Sequence, residues 1–289
     1  MLAAIAATSS FPSTLYDVRA GCLGDYSPCT CLQFGDGTIQ VDCEQVSVLD
    51  VQSILNRTTT NDLYRLDWTL PVKEVAAVLP ADLLSGKQSE IIRIACALGS
   101  STQLSIHPDS FRSSSGYTNQ FIISDCDLAP LDLAFLASFN VLNLFSIYSS
   151  RSIQCLQSLP TLPQLIEFNI FDCLGFDQLT SFPTDALPAL QIFKLNSNQL
   201  DDKIVGLILN TIATSSGGTL LSLSVNDNQL THVPEQLSLL PKLTNFYISN
   251  NNISFIASGS FTFTAPGVSA VYLPSVSLRT IEPGAFQGC

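Results

Sequence analysis

Two histidines, nine cysteines and an excess of acids are the side chains with which this chain could do chemistry. His107 and His232 each stand between an aliphatic or threonine residue and a turn. That slot faces solvent and offers no fixed partner for proton transfer. The sequence has no glycine-rich phosphate loop, no H-E-x-x-H, no G-x-S-x-G and no calcium-binding loop. Gly217-Gly218 reads as a turn ahead of a strand, the reverse of the order that phosphate binding requires. No pair of acids is spaced so that one carboxylate is set against another. These residues predict a non-enzymatic protein without cofactor or metal.

The cysteines say more. Cys22, Cys29, Cys31 and Cys43 form a C-x6-C-x-C-x11-C cluster. The C-x-C step is too tight for the usual zinc knuckle, and no histidine is near. Two N-x-S/T sequons, at Asn56 and Asn252, are expected glycosylation sites. The net charge of −12 argues against nucleic acid or an anionic membrane surface as partner. No apolar run is long enough for a membrane span. Met1 to Ala7 is apolar with small residues after it, and residues 1–21 are read as a leader or signal peptide with its lead-in.

The elements that position these residues repeat. Leu187, Leu190, Phe193, Leu195, Asn198 and Leu200 make one copy of a pattern. Leu220, Leu223, Val225, Asn228 and Leu230 make the second, and Leu240, Leu243, Phe246, Ile248, Asn251 and Ile253 the third. Residue type and offset recur together as LxxLxLxxNxL, and the chain resembles the leucine-rich repeat superfamily. In the LxL segment two aliphatics point into the coil while the residues between them point out. The asparagine carries donors and an acceptor for backbone groups where the chain turns away. Degraded copies start at Leu66, Ile92, Phe121, Phe145, Phe168 and Val271, and with the clear ones they give about nine repeats at intervals of 23 to 30 residues.

The resemblance implies an α/β solenoid with a parallel concave β-sheet and short helices or turns on the convex side. A short helix is expected at 49–56 and a longer one at 201–214, where Ile204, Leu207, Ile208 and Ile212 have helical spacing. Ahead of such an array, the cysteine cluster (residues 22–48) resembles the N-terminal cap of extracellular members. In that family the first cysteine pairs with the third and the second with the fourth, which implies Cys22–Cys31 and Cys29–Cys43 and an oxidising, extracellular setting. The array is expected over 49–289, stopping in mid-repeat. Cys126 and Cys173 fall at the asparagine position, where a small buried thiol is expected; Cys96 and Cys155 have no such slot, and Cys289 has no evident partner. The phrases Ser27-Pro28-Cys29-Thr30-Cys31 and Val41-Asp42-Cys43 resemble secreted arthropod proteins related to the non-catalytic, leucine-rich subunit of the decapod shrimp luciferase complex.

Function is expected on the concave face. At the middle strand position lie Asp67, Arg93, Ile122, Ser146, Asn169, Lys194, Ser224, Tyr247 and Tyr272; two residues on lie Thr69, Ala95, Ser124, Tyr148, Phe171, Asn196, Asn226, Ser249 and Pro274. Tyr148 and Phe171 occupy adjacent repeats, as do Tyr247 and Tyr272, and aromatics on an open sheet are favoured anchors for a protein partner. Tyr148, Asn169, Phe171, Lys194, Asn196, Asn226, Tyr247 and Tyr272 are the expected contact residues. The leading expectation is a secreted module that binds a protein ligand or receptor. A non-catalytic subunit beside a catalytic partner chain, or the ectodomain of a receptor, is the alternative.

Overall fold

A computed structural model describes residues 19–20, 22, 24–261, 270–273 and 277–287. Its main element is a sheet of twelve strands. The first three, Arg19–Ala20, Thr30–Gln33 and Ile39–Cys43, are joined antiparallel. From Ile39–Cys43 onward every pairing is parallel, through Asp62–Thr69, Gln88–Ala95, Gln120–Ser124, Leu144–Tyr148, Glu167–Phe171, Ile192–Lys194, Ser222–Ser224, Asn245–Tyr247 and Ala270–Tyr272. Each expected repeat therefore contributes one strand, paired with the strand of the next repeat. The chain is a leucine-rich-repeat solenoid with a parallel sheet. Of the residues expected as leader, 1–18 and 21 lie outside the described set, while Arg19–Ala20 pairs with Leu32–Gln33.

In-register parallel strands place equivalent side chains about 4.8 Å apart, so like stacks on like. Phe121, Phe145, Phe168, Phe193, Leu223 and Phe246 occupy one register position and are all fully buried. The Phe145, Phe168 and Phe193 rings stack with centroids 5.2 and 5.6 Å apart. Phe111, Phe135 and Phe139 pack around Phe121 from the far side of the coil. Trp68 is buried among the first repeats and donates its indole N–H to the Val46 carbonyl at 2.7 Å.

The motif asparagines hold the coils together from inside. Asn228 Nδ2 donates to the carbonyls of Leu195 (2.7 Å), Val225 and Asn226 (3.0 Å each), and its Oδ1 accepts the N–H groups of Asn198 (3.1 Å) and Leu200 (3.0 Å). Asn198 Nδ2 reaches back to Ile170 O while its Oδ1 accepts from Cys173 N. Asn251 Nδ2 reaches Val225 O, and its Oδ1 accepts from Leu230 N. Each asparagine thus satisfies buried backbone groups of its own coil and a neighbouring one. The substitutes do part of the same work: the Cys173 thiol lies 3.3 Å from Phe171 O, and Ser150 Oγ donates to Tyr148 O at 2.8 Å.

Opposite the sheet the chain is mostly irregular. The first helix, α1, spans Val48–Arg57, is N-capped by Ser47 accepting from Asp50 N, and buries Val48, Val51, Ile54 and Leu55 on one face. The second, α2, spans Asp202–Ser216, is N-capped by Asp201 and buries Val205, Ile208, Leu209 and Ile212. Gly217 ends it where a Cβ would collide with the Ala213 carbonyl. Elsewhere there are single 3-10 turns, as at Leu133–Ser138 and Ile153–Ser158. In early repeats the far side is itself a parallel strand pair, Ala76–Leu79 with Gln103–Ile106, where the sequence was read as turns alone. A helix is about 10 Å wide against a strand spacing of about 4.8 Å, so α2 bends the solenoid and leaves the sheet on its concave side.

Candidate binding face

Strand register assembles the expected middle row. Asp67, Arg93, Ile122, Ser146, Asn169, Lys194, Ser224, Tyr247 and Tyr272 are successive partners across the sheet. Two residues on, Thr69, Ala95, Ser124, Tyr148 and Phe171 form a second row. Pro274 lies outside the described residues. The same spacing that stacks phenylalanines inside stacks aromatics outside. Tyr148 and Phe171 lie with centroids 5.4 Å apart and rings 4° from parallel, and Tyr247 and Tyr272 are 4.5 Å apart at 5°. Tyr272 is exposed, while Tyr148, Phe171 and Tyr247 are half-buried with part of each ring open.

Not every expected contact residue is available. Asn169 is 3% exposed, because its amide donates to Ser146 Oγ (3.2 Å) and Glu167 Oε1 (3.0 Å) under the neighbouring strands. Asn196 and Asn226 carry structural duty. Asn196 Oδ1 accepts from Ser224 Oγ (2.7 Å) and Asn226 N (2.9 Å), and Asn226 Oδ1 accepts from Ser249 N (2.7 Å). They make a second, outer asparagine ladder beside the buried one. Lys194 is half-buried and tied to Glu167 at 2.7 Å. Glu167 and Arg65, which pairs with Asp67 at 2.6 Å, stand two residues before the middle row. Sequence reasoning missed both, although their alternation with the core positions was the available signal. Burial lifts the Asp67 carboxyl above its usual range, with Arg65 opposing and Asp42 of the adjacent strand adding to the rise.

The cysteines form three bridges among the described residues: Cys22–Cys31, Cys29–Cys43 and Cys96–Cys126. Cys126 is therefore not the free thiol expected at an asparagine position; its neighbour in the preceding repeat is another cysteine, and pairing follows from register that spacing alone did not show. Cys155 and Cys173 remain thiols, buried, and burial pushes both up to about 12. Asn56, in the last turn of α1, and Asn252 are both exposed, as are His107 and His232. Among the described residues no group of three or more metal-ligating side chains gathers, and no helix is long and apolar enough to cross a membrane.

No family model and no curated protein matches the chain. Among solved structures, it is similar to a chain in the Toll–Spatzle complex, a molecular hub in Drosophila development and innate immunity, with a TM-score of 0.47 and 15% identity over 85% of this chain. The chain spans about a third of that chain, 33%. The fold assignment stands on the strand register and asparagine ladder of this chain itself.

Proposed function

We propose that this is a secreted, non-enzymatic binding module that holds a protein partner on the concave face of its sheet. The observation that carries this reading is the pair of stacked aromatic couples, Tyr148–Phe171 and Tyr247–Tyr272, set on a rigid sheet at separate places along the face. Aromatic rings give large contact area at low entropy cost, and a solenoid sheet positions them without a loop to order. The three disulfides support an oxidising compartment. The antiparallel edge bridged by Cys22–Cys31 and Cys29–Cys43 serves as the cap that shields the first coil.

The test is to isolate the partner by crosslinking from the source tissue and compare affinities. Tyr148→Ala with Phe171→Ala, and Tyr247→Ala with Tyr272→Ala, are each expected to weaken binding by about 2 kcal/mol, the size of an interface hot spot. Unchanged affinity in both double variants would place the partner elsewhere. The resemblance to the luciferase-complex subunit makes a catalytic chain one form of that partner, and a receptor ectodomain would bind an extracellular ligand on the same face. The identity of the captured protein separates them.

A further inference from the structure

Immediately after each strand, one residue per repeat adopts the left-handed conformation. Asp125, Ser149, Asp172, Ser197, Asp227 and Asn250 have φ between 45° and 62°. Their amides continue the inter-coil ladder: Asp125 N donates to Tyr148 O, Ser149 N to Phe171 O, Asp172 N to Asn196 O, Ser197 N to Asn226 O and Asp227 N to Ser249 O. The row therefore keeps the strand spacing, and its carboxylates fall on every second coil, about 9.5 Å apart. Asp125, Asp172 and Asp227 have no ion-pair partner among the described residues. Arg151, which lines the same cavity of about 290 Å3 as Asp125 and Asp172, is turned to Asp127 at 3.5 Å.

A second observation points the same way. Ser124 Oγ and Asn169 Oδ1 lie on this face in residues 2% and 3% exposed, and neither atom has a hydrogen-bond partner. Ser124 is the register partner of Tyr148, directly beside the Tyr148–Phe171 stack. Here the face thus offers unpaired acceptors, a flat aromatic surface and uncompensated negative charge. That combination fits a guanidinium, which stacks on rings and donates several N–H groups at once. The charge of the whole chain, −12, favours the same sign of partner.

We infer that the face receives an extended basic segment of the protein partner, with an arginine or lysine at every third residue lying against Asp125, Asp172 and Asp227. A polyproline-type strand rises about 3.1 Å per residue with three residues per turn, so every third side chain returns to one side after about 9.3 Å. This pitch matches the spacing of the acids, whereas adjacent or alternate basic residues do not. The inference rests on the reading of the concave face as a protein-binding surface.

Two peptides of equal composition test it by fluorescence anisotropy with the full disulfide-bonded chain. One repeats Arg-Pro-Pro; the other gathers its arginines together. The spaced peptide is expected to bind about tenfold more tightly, and the triple variant Asp125→Asn, Asp172→Asn, Asp227→Asn to abolish the difference, as charge-assisted pairs of this kind would. Asparagine tolerates the left-handed conformation, so the variant keeps the backbone, which a circular-dichroism melt checks. Equal affinity of the two peptides, or an unchanged preference in the triple variant, overturns the inference. With the native partner the two readings separate. Binding lost in the aromatic variants but kept in the triple variant leaves the concave-face reading standing and ends this one; binding kept in all of them ends both.

Discussion

Replacing Asn228 by alanine tests whether the coils are held from inside by motif asparagines. The side chain is 6% exposed and makes five contacts within hydrogen-bond distance, three through Nδ2 and two through Oδ1. The amide has two hydrogens, so two of its three carbonyl contacts are satisfied fully and the third is shared. Truncation strands the N–H groups of Asn198 and Leu200 and the carbonyls of Leu195 and Val225 in the interior, at about 1–3 kcal/mol for each group that finds no water. Water entering the space left by the amide reaches some of them, so the net loss is about 3–4 kcal/mol. Urea unfolding followed by far-ultraviolet circular dichroism measures this, with Asn252→Ala as the exposed control expected to change stability by less than about 0.5 kcal/mol. A solenoid can lose cooperativity when one interface weakens, and a lower m-value in Asn228→Ala would show that loss. A midpoint and slope within error of the control would refute the reasoning, since the ladder would then carry no share of the inter-coil energy.

Removing the Cys96–Cys126 bridge by double serine substitution is expected to cost about 3.5 kcal/mol from the entropy of a loop closed across 30 residues, read as the shift in denaturant midpoint. Cys155 and Cys173 are expected to resist a thiol reagent at pH 8 in the native protein, because burial raises both to about 12 and keeps them protonated; two equivalents should react only once the chain unfolds. Lys87 is 3% exposed and donates to Thr58 O (2.9 Å) and Thr60 O (2.7 Å), tying the end of α1 to the second repeat. Lys87→Met leaves both carbonyls unpaired and is expected to cost about 1–3 kcal/mol at neutral pH. Burial holds the Lys87 ammonium below its usual range, so between the folded and unfolded values the unfolded chain binds more protons and stability rises with pH. Lys87→Met should flatten that rise, which parallel alkaline unfolding curves would reveal.

The repeat was legible in the sequence because one coil has one job per position. Aliphatics at alternate positions must face in, as Phe193 and Leu195 do, and the asparagine after them must meet backbone groups at the turn, as Asn198 does. These are local requirements, written in each repeat and readable without knowing its neighbour. The outward rows followed from the same alternation, which is why Tyr148 and Phe171, or Tyr247 and Tyr272, were placed side by side before any register was known.

Whatever depends on the next coil was decided only by tertiary structure. Asn169 reads as a surface residue in its own repeat, yet the strands on either side and the Glu167 carboxylate close over it. Asn196 and Asn226 look like free polar groups until the following repeat brings the backbone amides that they accept. Cys126 occupies a thiol slot in its own repeat, but register sets Cys96 against it. The row of left-handed residues after the strands, with its acids on alternate coils, has no signature within one repeat either. Side-chain direction is fixed by the chain's own dihedrals, whereas burial, pairing and the spacing of charge are set by what stacks above and below.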